Sequence, residues 1–221
     1  MKLFVSALTK TVFGVLLIGA MLFLPAGGFN YPNGWLFLAL LFIPMIPMGI
    51  VMLIKAPELL KRRLDAKEKL GAQKSIIALS GLMFLSAFIL SALDFRFGWS
   101  DVPLWLVIVG SALFLLGYLG YMEVMRENEY LARTIKVEQG QRVIDTGLYA
   151  VVRHPMYLAT LLMFLPMPLI LGSLFGLIPI SLYVPIIVAR IIGEEKLLKR
   201  ELSGYEDYTK KVRYRLVPFI W

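Results

Sequence analysis

The chain has 221 residues, 59% of them hydrophobic, and a formal net charge of +8. Soluble domains are roughly 45–50% apolar, and several apolar runs here are long enough to be read as membrane spans, so an ordinary soluble fold is excluded. There is no cysteine and only one histidine, which removes disulfides, thiolate catalysis and Cys- or His-rich metal sites.

In chain order, the first apolar run covers residues 11–24. Lys2 and Lys10 precede it and no small-residue cleavage pattern follows, so it reads as a retained span. "PAGGFNYPNG" then makes an uncharged turn. The second span, 35–54, contains Pro44 and Pro47, and proline's missing donor predicts a kink there. A polar connection, 55–74, leads to the third span at 75–93. "DFRFGWSDVP" is a short aromatic turn with Trp99 at an expected interface. The fourth span is 104–125, followed by a polar segment to residue 153. The next apolar stretch, 156–192, is interrupted only by Arg190, and a charged, aromatic tail closes the chain.

As one helix, that last stretch would be roughly 50 Å long at 1.5 Å per residue. The hydrocarbon core is only about 30 Å thick. Pro166, Pro168, Gly172, Gly176, Pro179 and Pro185 lie within it, so a hairpin turning near Gly172–Ser173 is expected. The hairpin also places 22 of the 23 Lys/Arg on one side, leaving only Arg96 on the other. By the positive-inside rule that side is cytoplasmic and carries both termini. The basic residues thus report topology and anionic headgroups, and no nucleic-acid partner is expected. The predicted fold is an all-α integral membrane bundle of about six passes. Residues 1–125 form a four-span bundle, and 126–221 carry the polar segment, hairpin and tail as one compact unit with it.

A hairpin brings its two polar ends together. Arg153, His154 and Tyr157 at the entry should therefore meet Arg190, Glu194 and Glu195 at the exit. Arg190 and Glu194 are four apart, on one helix face. Ionisable groups at membrane depth are functional candidates because their burial is costly. Plainer roles stand beside this one. Arg153 can anchor to phosphate headgroups, His154 can be an interfacial hydrogen-bonding residue, and the tyrosines can be interface aromatics. No G-x-G-x-x-G, Walker loop or H-E-x-x-H is present. Residue chemistry alone gives a polar pocket and leaves its reaction open, a scaffold or permease subunit included.

"TGLYAVVRHPMYLA", then "RIIGEEKLL" and "GYEDYTKKVRYRLVPFIW", resembles the isoprenylcysteine carboxyl methyltransferase family and the related phospholipid N-methyltransferases. The likeness covers 137–221, and "PELLKRR", 57–63, is similar to a loop of that family. The resemblance implies an S-adenosylmethionine-dependent methyltransferase whose lipophilic or lipid-anchored acceptor enters from the bilayer, with membrane lipids as further partners and no metal. It assigns cofactor contacts to Tyr149 and to His154, Pro155, Met156 and Tyr157. Glu194 is the cofactor-holding carboxylate, and the strip Gln141, Arg142, Val143 and Ile144 adds further cofactor contacts. Arg190 is implied as the substrate-side and catalytic arginine, with His154 beside it as a catalytic candidate. A carboxylate acceptor needs no general base. A phospholipid amine would need one, with His154 or Glu195 as candidates. Some sterol-reductase-like proteins share a similar hairpin, so a nicotinamide-dependent reductase is the alternative chemistry.

Overall fold

The computed structural model describes residues 1–65, 71–132, 134 and 137–221. Within them all regular structure is helical. Five helices are long and apolar enough to cross a membrane: Lys2–Ala26, Pro32–Lys55, Gln73–Phe97, Leu104–Glu127 and Leu177–Glu201. A shorter apolar helix, Pro155–Ile170, accompanies them. The chain is thus a multi-pass helical membrane protein, as its composition predicts. Part of the expected 55–74 connection, residues 66–70, lies outside the described residues.

Helix α1 (Lys2–Ala26) begins well before residue 11. Lys10 does not interrupt it, because its ammonium reaches out of the helix to the Leu64 carbonyl at 2.5 Å, keeping its charge at the polar end. The second span divides into α2 (Pro32–Phe42) and α3 (Met45–Lys55). The break is at Ile43–Pro44 alone. Pro47 sits in the first turn of α3, where a backbone donor has no intrahelical partner to lose. After α4 (Pro57–Leu64) come the long helices α5 (Gly71–Phe97) and α6 (Leu104–Glu127).

The hairpin's first arm is α7 (Pro155–Phe164) and α8 (Met167–Ile170), interrupted at Pro166. Its sixteen residues span about 24 Å, less than the hydrocarbon thickness, so this pass is shorter than the others. The chain reverses at Gly172 and returns through α9 (Leu177–Ser181) and α10 (Tyr183–Glu201). Two contacts position this hairpin. Along one face, α6 packs on α7 at backbone distance: a Cβ on Gly117 would lie 2.7 Å from the Ala159 carbonyl and 2.8 Å from the Met163 nitrogen. Small residues permit such close approach between membrane helices.

At the turn end, the fully buried Asp94 of α5 accepts the Ser100 amide at 2.7 Å and the Ser100 and Ser173 hydroxyls at 2.5 Å each. Tyr31 donates to the Leu171 carbonyl at 2.6 Å, and Asn33 to that of Ile170 at 2.8 Å. Backbone acceptors left free by the turn are thereby satisfied inside an apolar surround, where leaving them unpaired would be costly. The hairpin is held at its turn, and its open end carries the polar residues.

Candidate functional site

Pro155 occupies the first position of α7, where its fixed φ suits a helix start. The residue before a proline is pushed out of the helical region, so Arg153 and His154 precede the helix in non-helical backbone. Their main-chain amides donate to the Tyr214 and Arg215 carbonyls, both at 2.9 Å. The C-terminal tail therefore lies alongside the hairpin's entry.

Side chains complete this junction. Arg153 is buried. Its Nε donates to Glu195 Oε1 at 2.8 Å, and its Nη1 to the Val212 and Arg213 carbonyls at 2.8 and 2.9 Å. Arg215 Nε donates to Glu195 Oε2 at 2.9 Å, and His154 Nε2 lies 3.3 Å from Oε1. Glu195 is only 5% exposed. A buried carboxylate persists when its partners replace water, and here three basic side chains do so. Arg153 is accordingly an internal tie between hairpin and tail, not a headgroup anchor.

Glu194, one residue earlier, faces elsewhere. It accepts a 2.5 Å hydrogen bond from the Tyr157 hydroxyl, which accepts one from Arg190 Nε at 3.0 Å. The three groups form one chain across the two arms. Arg190, Glu194 and Leu198 continue at a spacing of four along the same face of α10.

Tyr149 sits in a short 3-10 turn, Gly147–Ala150. Gly147 has φ +49, and a Cβ there would run into the Glu127 carboxylate, which accepts the Leu148 amide at 3.1 Å. Only glycine fits both constraints. The turn presents the Tyr149 hydroxyl to Asn128 at 2.8 Å and its carbonyl to the Tyr208 hydroxyl at 2.7 Å. Burial pushes the phenols of Tyr149 and Tyr208 above their ordinary pKa, so both are neutral.

These elements wall a cavity that opens to solvent. The eleven residues given cofactor, substrate-side or catalytic roles by the resemblance all line it: Gln141, Arg142, Val143, Ile144, Tyr149, His154, Pro155, Met156, Tyr157, Arg190 and Glu194. So do Asn128, Tyr130, Leu131, Ala132 and Thr134 from the polar segment, Leu198 and Leu202 from around the end of α10, and Tyr205 and Tyr208 of α11 (Tyr205–Lys211). Sequence spacing offered little warning of these, except that Leu198 continues the Arg190–Glu194 stripe. Glu195 does not line the cavity; it backs the wall that His154 and Arg153 present. Among the described residues, no cluster of three or more His, Asp and Glu side chains forms a metal-binding group.

Residues 105–203 match the family model described as phospholipid methyltransferase. The Delta(14)-sterol reductase TM7SF2 of Mus musculus is 31% identical over 91 residues, which cover 40% of this chain. The aligned part is 22% of that curated relative's length. The matched family segment includes the 3-10 turn, both arms of the hairpin and most of the cavity wall. It agrees with the resemblance read from the motifs: residues 105–203 are similar to the phospholipid methyltransferase family.

Proposed function

We propose that this chain is an integral membrane methyltransferase that transfers a methyl group from S-adenosylmethionine to a lipophilic carboxylate, as in isoprenylcysteine carboxyl methylation. The observation that carries the reading is the Arg190–Tyr157–Glu194 chain in the wall of one cavity, inside the segment that matches the family. The residues present suit such a cofactor: a carboxylate for its cationic part, neutral phenols for hydrogen bonds, and a mixed apolar and polar wall. When bound, S-adenosylmethionine supplies an electrophilic methyl group on a sulfonium.

The chain's own residues do the rest by placement. Glu194 pairs with positive charge in the cofactor. Tyr157 donates to Glu194 and thereby fixes which carboxylate oxygen faces the cavity. Arg190 offers a planar fork suited to an acceptor carboxylate. Its bond to Tyr157 links the acceptor side to the cofactor side at fixed separation. Such alignment can supply up to about 7–11 kcal/mol in favourable cases. A carboxylate acceptor arrives ionised, so no residue has to remove a proton. A phospholipid amine acceptor would require one, and His154, whose ring sits between the cavity and Glu195, would be the group to take it. The site opens on the cytoplasmic side, where the basic residues collect.

The test is calorimetry in detergent with S-adenosylmethionine and S-adenosylhomocysteine. Wild type should bind both, and Glu194→Ala and Tyr149→Ala should bind neither tightly. A folded wild-type sample that ignores both ligands but binds reduced nicotinamide would replace this reading with the reductase chemistry named by the mouse relative.

A further inference from the structure

Three buried side-chain polar atoms have no hydrogen-bond partner among the described residues: Gln73 Oε1, Ser91 Oγ and Tyr205 Oη. Gln73 and Ser91 lie away from the cavity wall, whereas Tyr205 lines it. Tyr205 is 4% exposed, so water does not satisfy its hydroxyl from outside. Its neighbour Tyr208, on the same short helix and against the same ring, spends its hydroxyl on the Tyr149 carbonyl. A buried hydroxyl without a partner is uncommon in a folded protein and calls for an explanation.

Its surroundings indicate what would complete it. Burial, then Glu195 and Glu194, hold the Tyr205 phenol protonated, and Arg153 is the positive charge acting on it. A neutral phenol among carboxylates is a donor, so its missing partner is an acceptor. Arg153 also lines the cavity, which favours an anionic acceptor at this end. The methyl donor of the proposed reaction carries such a group beside a cation: its α-carboxylate next to its α-ammonium. With Glu194 on the ammonium, the carboxylate is within the same small region.

Resting on the methyltransferase reading, we propose that Tyr205 is a ligand-binding residue whose hydroxyl donates to the carboxylate of the methyl donor's amino-acid end.

The experiment compares two ligands on wild type, Tyr205→Phe and Tyr208→Phe. S-adenosylhomocysteine has the amino-acid end; 5′-methylthioadenosine lacks it. Tyr205→Phe should weaken S-adenosylhomocysteine roughly ten- to hundred-fold, the scale of a hydrogen bond to a charged group, and leave 5′-methylthioadenosine unchanged. Its ligand-free melting temperature should hold or rise, since the removed hydroxyl satisfies nothing in the empty protein. Tyr208→Phe should instead lower that temperature, because its bond to Tyr149 is internal. Equal loss on both ligands, or loss on neither, would overturn the Tyr205 assignment while wild-type binding kept the methyltransferase reading. Wild type binding neither ligand would overturn both.

Discussion

Glu194 and Glu195 are adjacent in the chain and a hundred degrees apart around α10, so they should fail in different ways. Glu195 sits behind the cavity with Arg153, His154 and Arg215 on it. Glu195→Gln leaves two guanidinium groups short of a counter-charge in a buried place. The expected cost is about 3–5 kcal/mol, read as a large fall in melting temperature in detergent; an unchanged melt would contradict the tie. Glu194→Gln should instead leave the melt nearly intact and weaken donor binding roughly ten- to hundred-fold. Arg190→Lys keeps the charge and loses the fork, so donor binding should survive while turnover falls. The reverse pattern, with binding lost in Arg190→Lys and kept in Glu194→Gln, would exchange their roles. The sequence could place both glutamates at the hairpin's exit. Residue chemistry alone could not say which one faced the cavity, because that depends on where the tail returns; only the family resemblance singled out Glu194. The same ignorance hid Tyr205 and Arg215, whose roles exist only once the tail is laid beside Arg153 and His154.

At the scale of elements, α6 and α7 set the position of Tyr157 and His154. Gly117→Ala would push a methyl group against the Ala159 carbonyl and Met163 nitrogen, which belong to a helix backbone and cannot rotate aside. Overpacking of this kind costs about 1–3 kcal/mol. Both the melting temperature and donor affinity should fall, since α7 carries its end of the site with it; a silent substitution would show that α7 is not held by this contact. The hairpin was legible because bilayer thickness forbids a single helix through 156–192 and because prolines and glycines cluster near its middle. The clamp at its turn was not, since Asp94, Ser100 and Ser173 come from distant segments that no local period connects. The kink in the second span was assigned to two prolines, and only Pro44 makes it. Pro47 lies in a first turn, where proline is harmless, a boundary effect invisible until the helix start is known.

For the whole molecule, the balance of charge predicts that tags at both termini report the cytoplasmic side. A tag in the 27–33 turn or the 94–101 turn should report the opposite one. A C-terminal tag on the far side would separate the two ends of the hairpin across the membrane and break the site apart. The fold class was legible from apolar content alone, and the meeting of the polar residues in one cavity from two motifs at the ends of one hairpin. The acceptor was not legible, because the first four spans present mostly apolar surface that carries little chemical identity. Transfer of label reaches past that gap. Purified protein is incubated with methyl-labelled S-adenosylmethionine and a lipid extract, and organic-soluble label is counted and tested with base. Wild type should yield a labelled, base-labile methyl ester, lost in Glu194→Ala. A base-stable methylated amine would move the acceptor to a phospholipid headgroup. No labelled lipid at all, from a folded protein that oxidises reduced nicotinamide, would contradict the methyltransferase reading outright.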